Sequence, residues 1–169
     1  MTALLLGQAT ESAGVKVESL QAQALREVSN CINSGGAEHY APVNGVVSAP
    51  PSDVSIPPSS KITFWRIVTT EGSLFAYSGY EGRTNFCGVV ASGVDTQELD
   101  DELAKFLTAY EGWTSAPPPQ SNWMNNQVQS ERYWGDARNP SLHGAALAIT
   151  RIPNSGSALH LHYHATAVF

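Results

Sequence analysis

The last stretch of the chain alternates without a break. Over residues 158–169, Leu159, Leu161, Tyr163, Ala165, Ala167 and Phe169 fall on one face, with His160, His162, His164 and Thr166 on the other. Successive strand residues point to opposite sides, so this period of two marks a strand with one buried face. A helix would wrap the same residues around its whole circumference. Upstream, Leu142–Ile152 is a second apolar, strand-like run, and Pro153-Asn154-Ser155-Gly156-Ser157 between them has turn chemistry. A three-residue loop of Asn154, Ser155 and Gly156 puts glycine at the left-handed position such loops use. That hairpin sets Thr150 opposite His160, Ala148 opposite His162 and Ala146 opposite His164. A one-residue slip would mix the two faces. Leu147, Ile149, Leu161 and Tyr163 then form a core face, while the imidazoles stand over small side chains.

The rest of the chain fits the same architecture. Val17, Leu20, Ala24, Val28, Cys31 and Ile32 make a helical stripe over about 18–33, with Ser34-Gly35-Gly36 as its stop. Residues 41–48 carry a short strand signal broken by Asn44-Gly45. The Pro- and Ser-rich stretch 49–60 reads as a surface loop. Lys61–Thr70, Ser73–Gly79 and Arg83–Ala91 are short apolar runs separated by Glu71-Gly72 and Tyr80-Glu81-Gly82, a meander over 61–91. Asp95, with Glu98 three residues on, is an N-cap for a helix over about 96–111 carrying Leu99, Leu103, Phe106 and Leu107 on one face. The acidic cluster Asp95, Glu98, Asp100, Asp101 and Glu102 has a structural cause there, because negative charge complements a helix start. The fold class predicted is α+β: one domain over 1–169, an antiparallel sheet of five to six strands, and two main helices. No internal repeat is visible.

Trp113 to Ser141 is the longest irregular stretch. It holds Trp123, Tyr133, Trp134 and Arg138 beside Asn and Gln, the composition of a ligand or partner surface. The tryptophans can equally pin the loop to the core. Because this loop enters the C-terminal hairpin, it is expected to roof the histidine face.

A net charge of −6 with scattered Lys and Arg argues against nucleic acid or anionic membrane as a partner. The apolar start Met1–Leu6 lacks a basic region and the length of a span. Two cysteines make no framework, so reduced thiols in a cytoplasmic setting are expected.

Four chemistries are open to these residues. Histidines two apart on a strand lie roughly 6.5–7 Å apart and suit two ligands of one zinc-type metal, with a third from His39, His143, Cys87 or a carboxylate. Cys87, in Thr84-Asn85-Phe86-Cys87-Gly88, is a candidate nucleophile with a histidine as base. The order of Cys87 before His143-Gly144-Ala145-Ala146 loosely resembles papain-like thiol enzymes. Those place the nucleophile at a helix start, whereas Gly88-Val89-Val90 reads as strand. Cys87 as an inert buried residue is the plainer reading. His164-Ala165-Thr166 matches half of a paired His-x-Thr phosphoesterase signature whose other half is absent.

Third, His162, flanked by His160 and His164, can anchor or deprotonate a small polar ligand, with Trp123, Tyr133, Trp134, Arg138 and His143 as binding residues. Such histidines are expected to titrate between about pH 5 and 8. Fourth, the chain is an interaction module whose 113–141 loop meets a protein partner. No cofactor and no oligomeric state is legible.

Overall fold

The computed structural model describes residues 18–36, 40–51, 61–110, 112–117, 128–136, 143–152 and 156–166. The candidates Trp123 and Arg138, together with His39, lie outside them. The architecture is α+β, with two helices and one antiparallel sheet, but the sheet has eight strands rather than five to six.

The first helix, α1 (Leu20–Asn33), begins where the Ser19 side chain accepts a hydrogen bond from the Ala22 amide, at 3.3 Å. It ends at Gly35 and Gly36, both at positive φ, a conformation glycine adopts without steric cost. Strands β1 (Gly45–Ser48), β2 (Lys61–Ile67), β3 (Ser73–Glu81) and β4 (Thr84–Ser92) follow as a meander. The second helix, α2 (Thr96–Ala109), is capped by Asp95, which accepts from the amides of Gln97 and Glu98 at 3.0 and 3.1 Å. A second meander completes the chain: β5 (Trp113–Ala116), β6 (Val128–Asp136), β7 (His143–Ile152) and β8 (Gly156–Thr166).

The strand order is β1-β2-β3-β4-β8-β7-β6-β5. Each half is therefore a helix followed by four sequential strands, and the two fourth strands meet antiparallel. The topology repeats although the sequence shows no repeat. Packing needs only matching apolar faces, which different residues supply.

Apolar residues of both helices join one core with the same sheet face, including Leu74, Val89, Leu147, Leu159 and Leu161. That face is the one expected for the hairpin. The register differs from the expectation by two residues: Ala148 faces His160, Ala146 faces His162 and Gly144 faces His164. The hairpin closes at Ile152 opposite Gly156, so the connection keeps three residues but lies one position earlier in the chain than supposed. The supposed register asked Pro153 to sit in the ladder, and proline has no N–H to donate. Because the shift is two, every side chain keeps its face.

β1 lies within the 41–48 strand signal and begins at Gly45 itself. The strands beyond the expected count are β5 and β6, which arise inside the stretch read as an irregular loop. β6 begins Val128-Gln129-Ser130, exposed on both faces, with a register shift between Val128 and Ser130. Only Tyr133, Trp134 and Gly135 are buried, and they follow one another, so the strand carries no period-two hydrophobic pattern.

The cysteines also overturn an expectation. Cys31 and Cys87 form a disulfide from α1 to β4, their Cα atoms 5.7 Å apart and both residues fully buried. They are not reduced thiols. Helix and strand stripes each place a cysteine on the shared core face, and only the packing shows that the two meet. Among the described residues no helix is long and apolar enough to cross a membrane.

Candidate functional site

The face of the sheet opposite the helices carries the three histidines of β8. It also carries a second apolar cluster, Phe64, Tyr77, Phe86, Val90 and Ala158. β8 lies at the middle of the sheet, where the two halves join, with Gly88 of β4 facing His162.

Two tyrosines reach β8 from opposite flanks. Tyr77, on β3, lies directly opposite Gly88, and Gly88 in turn faces His162. A Cβ at Gly88 would meet the Tyr77 phenol and the Leu161 carbonyl, so glycine is what lets the ring lie across β4. The Tyr77 hydroxyl donates to the Leu161 carbonyl at 3.2 Å and sits 3.0 Å from His162 Nδ1. On the other flank Tyr133 of β6 lies over Gly144 of β7, where a Cβ would strike the phenol. Its hydroxyl is 3.4 Å from His164 Nε2, and the two rings stack at 6.0 Å and 19°.

The rings form a chain. Phe64 meets Tyr77 at 5.5 Å, Tyr77 stacks on His162 at 6.1 Å and 15°, and His162 stacks on His164 at 6.4 Å. Phe86 closes on His162 at 5.5 Å. Each such pair adds about 0.5–1.5 kcal/mol beyond area burial. His160 belongs to the apolar end instead. It is buried, with Nε2 2.8 Å from the Thr150 hydroxyl.

Burial, assisted by the neighbouring His164, lowers the His162 pKa from 6.5 to about 3. That value lies below the pH 5 to 8 window expected for it, because burial among the packed rings disfavours the cation. Burial likewise holds the Tyr77 phenol well above its ordinary value and pushes Tyr133 up to about 12. At neutral pH the site offers the uncharged imidazole of His162 and the uncharged phenols of Tyr77 and Tyr133.

No family model, curated protein or solved structure matches this chain.

The structure brings Tyr133 to the histidines and leaves other candidates elsewhere. Cys87 has its sulfur in the disulfide and points to the helix face, so it is not a nucleophile for these histidines. His143 also faces the helices, its Nε2 2.6 Å from the Tyr163 hydroxyl and its ring edge-on to Trp113. Trp134 is buried under α2 and donates from Nε1 to Thr108 at 3.1 Å. Alternation along β6 explains the split: Tyr133 and Trp134 are neighbours and must point oppositely. Among the described residues, no three His, Cys, Asp or Glu side chains gather closely enough to hold one metal ion.

Tyr77 is the residue that sequence reasoning missed. The signal was present. A two-residue turn at Gly82-Arg83, with Gly82 at positive φ, places Tyr77 across from Gly88. An aromatic opposite a strand glycine is a recurrent way to cover the bare backbone.

Proposed function

We propose that this chain is a binding protein for a small, uncharged polar ligand, taken at the seam between β4 and β8 by His162, His164, Tyr77 and Tyr133. One observation carries the reading: hydroxyls from strands on either side of β8 converge on adjacent imidazoles. Neutral imidazole is at once a donor and an acceptor, and suits hydroxyl, amide or heteroaromatic edges. The stacked rings offer flat apolar wall beside those polar atoms.

Binding is favoured over acid–base catalysis. A ring whose pKa lies near 3 is a poor proton acceptor at neutral pH. Cys/His chemistry lacks its thiol. The interaction-module reading loses Trp134 as a surface residue, since it is packed under α2. A disulfide of this kind forms and persists in an oxidising compartment, and we infer that the chain matures in one.

The test uses a panel of neutral probes (glucose, uracil, adenine and nicotinamide), followed through the histidine side-chain ¹⁵N resonances. At least one should shift His162 and His164 saturably, and His162→Ala/His164→Ala should abolish binding in a folded protein. Lys61→Ala, on the exposed start of β2, serves as the control. Binding that survives in the double variant, or a panel that moves neither ring, returns these histidines to a packing role.

A further inference from the structure

The opposite end of the sheet carries a second, unrelated constellation. Val43, Val46, Val47 and Val68 are four of the five large apolar side chains left exposed among the described residues, and all lie in or beside β1 and β2. The other edge, β5, exposes Thr114 and Ser115 instead. Val46 and Val47 are consecutive and point to opposite faces, so Val46 shares its face with Arg66. There, with Val68, it borders a cavity of about 460 Å³, lined by Val46, Ser48, Arg66, Val68, Thr69 and Gly72, among others. Its size is that of a small-molecule site.

The polar groups of the cavity define the ligand. Val46 faces Arg66 across the β1–β2 pair, so the guanidinium rises beside an apolar wall. Among the described residues no carboxylate or carbonyl pairs with it, and it stays solvent-exposed. The two hydroxyls are committed elsewhere: Thr69 donates to the Gly72 carbonyl at 3.3 Å and Ser48 to the Ala49 carbonyl at 3.1 Å. That leaves one cationic, planar, two-pronged donor. A carboxylate matches that fork with its two oxygens, whereas a phosphate asks for more donors than one side chain supplies.

We infer that this cavity binds a small amphiphilic carboxylate, its acid group on Arg66 and its apolar body along Val46 and Val68. The site is distinct from the histidine seam. β2 and β8 are three strand spacings apart, about 14 Å, and no residue is shared.

Hexanoate is the probe, followed by amide ¹H–¹⁵N shifts, with hexanamide and hexyl phosphate as analogues of the same chain length. Hexanoate should shift the Val46, Thr69 and Gly72 amides saturably. Hexanamide should bind about tenfold more weakly or worse, the worth of one charge-assisted pair, and hexyl phosphate no tighter than hexanoate. Arg66→Gln should lose about tenfold in affinity for hexanoate. Because Arg66 is exposed the variant should keep its fold, which circular dichroism checks. Arg151→Gln, at an exposed position on β7, should change nothing. Equal binding of hexanoate and hexanamide, tighter binding of hexyl phosphate, or an Arg66→Gln protein with full affinity would each overturn the assignment. So would shifts at these amides that follow protein concentration alone, since they would make the patch a contact between copies.

Discussion

α1 and α2 cover the same face of the sheet, and each leads into a four-stranded meander, yet they are held there by different means. α1 is cross-linked: the Cys31–Cys87 disulfide ties it to β4, the last strand of its own half. It also buries the Glu27 carboxylate, which accepts from the Tyr40 hydroxyl at 3.1 Å. α2 has no covalent tie. It rests on Leu99, Leu103 and Leu107, all fully buried, on the Trp134–Thr108 hydrogen bond, and on an ion pair from Asp100 to Arg132 of β6. Burial raises the Asp100 pKa and the Arg132 guanidinium opposes the rise. One helix-on-meander plan thus tolerates either a cross-link or a leucine face with polar ties. The difference between the halves is open to experiment.

The largest effect belongs to the cross-link. Cys31→Ala/Cys87→Ala should lower unfolding stability by about 4 kcal/mol, the loop-closure value for a 56-residue separation. Urea denaturation measures it. A loss below about 1 kcal/mol would mean that α1 is held by packing, as α2 is, and the contrast between the halves would collapse.

Next is the leucine face. Leu103→Ala in α2 should cost about 3 kcal/mol as a fully buried truncation. Because no tether survives the loss of packing, hydrogen exchange in α2 should accelerate before that in α1. Simultaneous acceleration in both helices would show one cooperative unit, with the disulfide giving α1 no local advantage.

A smaller effect is tied to pH and to the seam. The folded His162 pKa, about 3, lies below the unfolded 6.5, so the folded state disfavours the proton. The neutral ring's stabilisation is complete above about pH 6.5 and is lost as pH falls from there toward 3. The slope is at most about 1.4 kcal/mol per pH unit, and smaller because the residue keeps some solvent exposure. His162→Phe has no proton to take up. Its stability difference from the parent should therefore shift in the variant's favour by up to about 2 kcal/mol between pH 7 and 5. A pH-independent difference would mean the ring is solvated well enough to charge in the folded protein.

Much of this was legible in the sequence, and the gaps have physical reasons. Both helices were readable because caps and stripes are local. The faces of β7 and β8 were readable because alternation is local too. The register was off by two, since moving a three-residue loop by one position preserves every face and leaves no trace in the hydrophobic pattern. β5 and β6 escaped because they are half exposed. The disulfide escaped because it joins residues 56 apart in sequence. At the site, His162 and His164 stood out by spacing and Tyr133 by composition. Tyr77 did not, for its role depends on a glycine in the next strand and an imidazole two strands away.

The smallest expected effect separates the two tyrosines of the seam. Tyr77 is fully buried, and its hydroxyl serves both the Leu161 carbonyl and His162 Nδ1. Tyr133 reaches His164 only at 3.4 Å, a distance at which little hydrogen-bond energy remains. Tyr77→Phe removes the one hydroxyl that bonds both the Leu161 carbonyl and His162 Nδ1. Its cost should be about 1–2 kcal/mol, an unsatisfied buried group added to a lost bond. Tyr133→Phe keeps the stack on His164 and should cost about 0.5 kcal/mol or less. The His162 Nδ1 resonance supplies a second reading: it should move in Tyr77→Phe and stay in Tyr133→Phe. If the two variants lose equal stability, the phenols are equivalent props, and the seam is as symmetric in energy as the strand order is in topology.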